Sequence, residues 1–442
     1  MAYTMEIQAN KDDPEQLEAL FQAARRKHET AAFTADLLAC YTAEPDNRLY
    51  AAWYYRLKDK PQEKVKEGAN WKLAIPLAAT NGLVLWALSS PELTTPNGAP
   101  YLAWLAAPVT ALFVIAFLTL TSAKNQRRAI LLGVGLAAVT GVCMLLDSFV
   151  AQQTSEYYEI LLVPHLALLA WASIGVCLIG VHSSASNRFA FLVKSIDVFV
   201  TGGVYLIAGM AFGAITLGMF AALSIEPSEV LMRLIAAGGA GLIPVIAVAT
   251  IYDPLLDPQD QDFKQGLSRF IATLMRLLLP LTLGVLVIYL FVIPFNFLEP
   301  FRNRDVLIVY NAMLFAIMGL LVGATPLGLE EVSPRLGKAL RWGILAVAVL
   351  AVLVSLYAIS ALLYRTIDGG PTINRLTMLG WNVINIALLV VLIIRQLGKG
   401  AQAWNERIQP WNERIQAVFS QGAYAYVVWS LFVVLALPLF FG

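Results

Sequence analysis

The chain has 442 residues, 58% hydrophobic and 14% charged, with a mean hydropathy of +0.67 and a formal net charge of +1. Soluble domains run near 45–50% apolar and about 25% charged, so a water-soluble globule is excluded. A balance this close to neutral gives no field that would recruit nucleic acid or an acidic partner.

Residues 1–70 are expected to form a small cytoplasmic helical cap. In "DDPEQLEALFQAARRKHE", Asp13 reads as an N-cap and Pro14 as the first helical position. Leu17, Leu20, Phe21 and Ala24 then share one helix face. Phe33, Leu37, Leu38 and Tyr41 supply a second apolar face, and "EPDNRLYAAWYYRL" a turn and a third helix with Leu49, Ala52, Trp53 and Leu57 inward. The pattern resembles a tetratricopeptide unit but spans little more than one, and at least three are needed for a solenoid. A cap that packs on the membrane domain or binds a protein partner is the simpler reading. It is tethered by the charged "KDKPQEKVKEG". No cleavable signal peptide is visible, and 73–90 is expected to act as an uncleaved anchor.

A helix crosses the roughly 30 Å hydrocarbon core with about 20 apolar residues. That ruler gives eleven spans: 73–90, 99–122, 129–149, 158–181, 196–223, 229–252, 270–296, 306–328, 340–363, 376–395 and 423–441. The expected fold is therefore an all-α polytopic membrane protein, with residues 71–396 carrying ten transmembrane helices and 423–442 the last. Alternate short loops hold fourteen Lys and Arg against four, counted from Lys124 to Arg414 on one side and from Arg302 to Arg375 on the other. By the positive-inside rule the N-terminus is cytoplasmic and the C-terminus outside.

Ionisable residues at membrane depth are costly and raise functional hypotheses. Asp147 and His165 lie on consecutive antiparallel spans, and meeting at similar depth they would make a proton relay, with Arg233 to hold an anion. Interfacial side chains that satisfy one another are the alternative. Arg269 and Arg276 fall seven apart on one face, suited to phospholipid headgroups. Arg302, Arg304, Asp305, Arg365, Asp368, Asn374 and Arg375 gather in the outer loops and turns, where ordinary solvated charge is the simpler reading and a grip on an anionic substrate the alternative if they converge. Asn81, Asn311, Asn382 and Asn385 are expected to bond between helices, and Gly209 with Gly213 and Gly319 with Gly323 to allow close helix contact. "YDPLLDPQDQDF" lacks the central Gly of a calcium loop and reads as helix caps in a solvated acidic segment. Cys40, Cys143 and Cys177 form no CxxC and point to no metal site. No phosphate-binding loop, HExxH or GxSxG is present, so neither a catalytic set nor a cofactor is expected.

"WNERIQPWNERIQ", residues 404–416, states one word twice. Trp404, Ile408, Trp411, Ile415 and Val418 form an apolar stripe, and an amphipathic helix over 397–422, with both Trp at headgroup level, is expected to lie in the interface. Gly422 would separate it from the last span.

Finally, "QGLSRFIATLMRLLLPLTLGVLVIYLFVIPFNFLEP", "YNAMLFAIMGLLVGATP" and "YRTIDGGPTINRLTMLGWNVINIALLVVLI" resemble a family of bacterial multi-pass membrane proteins, the domain-of-unknown-function family 4153. The turn Gly370-Pro371-Thr372-Ile373-Asn374-Arg375 is its most specific element. The resemblance implies a bacterial inner-membrane protein and brings no activity, substrate or catalytic residue. Function stays open among a transporter-like or scaffolding membrane component, which works with membrane lipid or a partner, and a membrane-embedded enzyme acting on a lipid or anion at the outer face.

Overall fold

A computed structural model describes residues 3–26, 29–58, 69–150, 152–328, 332–397 and 411–441. It divides into two compact units, Met1–Gly68 and Ala69–Gly442. Apart from an isolated bridge between Thr94 and Pro100, the described secondary structure is helical.

The first unit holds α1 (Thr4–Ala9), α2 (Pro14–Arg26), α3 (Thr30–Ala43) and α4 (Arg48–Lys58). Asp13 Oδ1 accepts the Glu15 and Gln16 amides and so caps α2, and Asn47 Oδ1 caps α4 in the same way. Ile7, Leu17, Phe21, Phe33, Leu37, Tyr50 and Trp53 make the core, with edge-on rings between Phe33 and both Phe21 and Trp53. Two expectations fail: Leu38 and Ala52 face outward. Tyr50 takes the inward place, and its hydroxyl donates to the Ile7 carbonyl at 3.3 Å. The Tyr3 hydroxyl bonds to Glu29, which together with burial pushes its pKa up to about 12.

The second unit is a helical membrane domain. Among the described residues eleven helices are long and apolar enough to cross a membrane. They are α5 (Trp71–Leu88), α6 (Tyr101–Ser122), α7 (Gln126–Phe149), α8 (Gln152–Ile179) and α9 (Ala185–Ala222). The sixth is composite: α10 (Glu229–Arg233), a π-helical turn over Leu234–Gly238 and α11 (Gly239–Ile251). Then come α12 (Gly266–Val292), the short α13 (Glu299–Arg302), α14 (Arg304–Ala324), α15 (Pro334–Gly369), α16 (Ile373–Leu397) and α17 (Trp411–Leu431). Membrane interiors offer no water to backbone amides, so runs this apolar close their hydrogen bonds within the helix. The side where α5 begins we term the near side; the spans alternate, so α17 starts near and ends far.

The expected interfacial helix is not what forms from the second copy of the repeated word. α17 runs unbroken from Trp411 through Gly422 into the membrane domain, and Ile415, Val418 and Phe419 sit in the main core. Gly422 serves close packing: a Cβ there would lie 2.8 Å from Leu388 of α16. Asn412 and Gln416, one turn apart, donate side-chain amides to the carbonyls of Pro326 and Leu327 at 3.0–3.3 Å. This clamps the α14–α15 connection. The first copy, with Trp404, lies outside the described residues. Replacing Asn412 and Gln416 together with alanine removes the clamp, and about 1 kcal/mol of stability per side chain should be lost. Earlier trypsin cleavage at Arg335 would report it; unchanged cleavage would show that the clamp holds nothing.

The expected glycine pairs also fail in part. A Cβ would meet nothing at Gly209 or Gly319 and only ordinary contact at Gly213, whereas Gly323 is tight against Met275. The closest backbone approach lies elsewhere, where Gly82 of α5 faces Gly238 and Gly241 across the π-helical turn. A Cβ on Gly82 would stand 2.7 Å from the Gly238 oxygen, and one on Gly241 2.8 Å from the Gly82 Cα.

Candidate functional site

Small side chains on facing helices leave a gap where large ones would interdigitate. α6 contributes Ala107 and Ala111, α8 Ala167 and Ala170, α9 Gly202, and α11 Ala240 and Ala247, and between them lies a cleft of about 620 Å³. That volume falls within the range of roughly 300–1,000 Å³ typical of small-molecule sites. Leu85, Val114, Ile174, Val198, Phe199 and Ile243 complete a hydrocarbon lining. Phe199 of α9, at the rim, is 83% exposed, so the cleft is open at that edge of the helix bundle. From Ala240 to Tyr252 it runs for about 18 Å at 1.5 Å per residue, which is close to half of a roughly 30 Å hydrocarbon core.

The polar groups on its wall are already engaged. Trp171 Nε1 donates to Ser195 Oγ at 2.9 Å, and Ser195 donates to the Phe191 carbonyl. Lys194, buried at the near-side end, donates to Ser268 Oγ at 2.8 Å and the Asp262 carbonyl at 2.9 Å, and pairs with Asp197 at 3.4 Å. Thr110 shares its hydroxyl with Asn81, whose amide also donates to the Gly241 carbonyl at 2.7 Å. What remains facing the space is apolar. Beyond the near-side end, a second recess of about 20 Å³ shares Leu118, Leu178 and Tyr252 with the cleft and is lined by Thr119, Ser122, Lys124, Asn125 and Asp257. It has room for about one water. The Tyr252 hydroxyl donates to the Leu256 carbonyl at 3.3 Å.

Asp147 and His165 are not brought together. Ser155 Oγ donates to Asp147 Oδ1 at 2.7 Å, which sets the depth of Asp147. His165 lies ten residues farther along α8, about 15 Å on. Asp147, Ser155 and Glu159 instead form a buried group with Asn97, which donates to Ser155 at 2.7 Å and Glu159 at 3.1 Å, and so tie the α5–α6 connection to α8. His165 is enclosed: its Nδ1 lies 2.6 Å from the Leu161 carbonyl, and its Nε2 lies 3.0 Å from Trp381 Nε1. An indole only donates and a carbonyl only accepts. Nδ1 therefore carries the proton, Nε2 accepts, and no valence is left for a relay. The four asparagines do bond between helices or to their partners as expected. Asn382 donates to Asn311 Oδ1 at 2.6 Å, and Tyr426 of α17 donates to Asn385 at 2.5 Å.

The remaining candidates act locally. Arg233 donates to Ser89 Oγ and the Trp86 carbonyl, both at 3.1 Å, which caps the C-terminal end of α5. Arg375 donates to the Gly370 carbonyl at 2.6 Å and folds over its own turn. Asp368 is exposed, Asn374 half-buried, and Arg365 half-buried with one guanidinium nitrogen buried and without a hydrogen bond. Arg304 lies over the Tyr157 ring. These side chains do not converge on a common point by any described bond. Arg269 is exposed, Arg276 half-buried, and Trp411 packs against the core and not at a surface. Among the described residues no group of His, Cys, Asp and Glu is placed to hold a metal ion.

The cleft escaped sequence reading because its alanines differ little from those elsewhere in the chain; only the rotation of four helices aims its small residues at one another. Trp381 and Tyr426 were missed for a similar reason, since their partners are distant in sequence. No family model, curated protein or solved structure matches the chain.

Proposed function

We propose that this multi-pass membrane protein is a lipid-binding, transporter-like component, whose work is to take the hydrocarbon part of an amphiphile into the cleft between α6, α8, α9 and α11. One observation carries this reading: an apolar space of about 620 Å³ that is open at an edge of the helix bundle and lined by side chains with no polar group to spare. A carrier of a polar solute would need convergent polar groups near a broken helix, and the cleft offers none. The outer-face enzyme is disfavoured because Arg375 is committed to its own turn and Asp368 is exposed. In this reading the near side is cytoplasmic, on the strength of its excess of Lys and Arg. The resemblance to the bacterial family of unknown function makes a bacterial inner membrane the natural setting.

Filling the cleft tests the reading. The full chain in lipid nanodiscs, released for native mass spectrometry, should retain lipid at a fixed stoichiometry. Ala170→Trp or Gly202→Leu should abolish that retention with the fold intact, as judged by helical circular dichroism. Retention unchanged in both folded variants would sink the proposal.

A further inference from the structure

The near-side mouth of the cleft carries positive charge, and we infer that the occupant is an anionic phospholipid, with one chain in the cleft and its phosphate at the turn between α6 and α7. This rests on the lipid-binding reading above. Lys124 and Asn125 line the small recess that continues the cleft. Arg128, one turn into α7, reaches to α8 and donates to the carbonyl of Cys177, another residue of that recess, at 3.1 Å. Lys124 donates to the Leu255 carbonyl at 3.3 Å. Both side chains are exposed, and among the described residues neither is in an ion pair, although Asp257 lines the same recess.

The backbone adds to the same charge. α7 begins at Gln126 with no cap from the Asn125 side chain, so the positive end of the helix dipole lies beside Lys124, Arg127 and Arg128. Cations in a first helical turn are unfavourable by themselves, and an anion at that point relieves them. The recess holds about one water and cannot enclose a phosphate, so the phosphate sits over its mouth at the membrane surface. A free inorganic phosphate would leave the cleft empty. A lipid without net charge would fill the cleft and leave the cations unanswered. An anionic phospholipid does both, and the depth of the cleft, about one leaflet, matches a chain that enters from the near side.

Nanodiscs of equal phosphatidylglycerol and phosphatidylcholine, followed by native mass spectrometry of the full chain, test the charge separately from the cleft. The wild type should retain phosphatidylglycerol in preference. Each of Lys124→Gln and Arg128→Gln should lower that preference about 5-fold and the double variant about 30-fold, while Arg128→Lys keeps it. Equal retention of the two lipids by the wild type, or an undiminished preference in the double variant, would overturn the inference and leave the cleft reading standing. Lipid that neither Ala170→Trp nor Gly202→Leu displaces would overturn both.

Discussion

Gly82→Val is expected to part α5 from α11 and to destabilise the membrane domain by about 2–5 kcal/mol. The new Cβ would stand 2.7 Å from the Gly238 carbonyl oxygen, and the atom in its way is backbone. A side chain could turn aside; here a helix has to move. Overpacking of this kind costs about 1–3 kcal/mol, and the shift also breaks the buried bond from Asn81 to the Gly241 carbonyl, which adds about 1–2 kcal/mol. Gly209→Val is the control. That position meets nothing within 4 Å, and a change of no more than about 0.5 kcal/mol is expected. Denaturation of both variants by increasing detergent, followed by circular dichroism, gives the comparison. Equal stabilities would show that the α5–α11 approach is not the constraint its geometry implies.

The second large effect is expected at Trp381. Its ring lies 5.2 Å from Phe315, 5.3 Å from Tyr426 and 5.6 Å from His165, and its Nε1 hydrogen is the one group that His165 Nε2 accepts. Trp381→Ala removes those contacts together and should cost about 3–5 kcal/mol. Trp381→Phe keeps most of the ring packing and strands the histidine acceptor, for about 1–3 kcal/mol. His165→Phe strands the indole donor with a similar loss. The double replacement removes both halves of the bond, so it should cost less than the two single losses added, by about 1–2 kcal/mol. Additive losses in the same detergent titration would mean that the bond contributes nothing. They would also reopen the case for a titrating His165.

Much of the architecture is legible in the order of residues, because a membrane span declares itself by length and hydropathy alone. α9 is longer than its apolar run because its polar near-side turn continues as helix, and α15 because both its flanking polar turns do. Hydropathy does not report that continuation. The interhelical asparagines were legible from cost: a lone amide in hydrocarbon needs a partner. What sequence could not supply was rotation. Asp147 and His165 read as a pair because consecutive spans are antiparallel, yet the start of α8 puts Ser155 and not His165 level with Asp147. Likewise the apolar stripe through Trp411, Ile415 and Val418 has the same pattern whether a helix lies on a membrane or packs into a core. The burial of Ile415 and Val418 in the main core, together with the carbonyls of Pro326 and Leu327 held by Asn412 and Gln416, decides between them.

That clamp has a hereditary consequence. Because the hexapeptide occurs twice with a seven-residue offset, replication slippage that deletes one unit removes whole codons and keeps the reading frame. Whichever copy is lost, the product reads Trp-Asn-Glu-Arg-Ile-Gln directly before Ala417, so an asparagine and a glutamine still stand at the clamp positions of α17. The duplicate can be lost while the helix that needs the word keeps it.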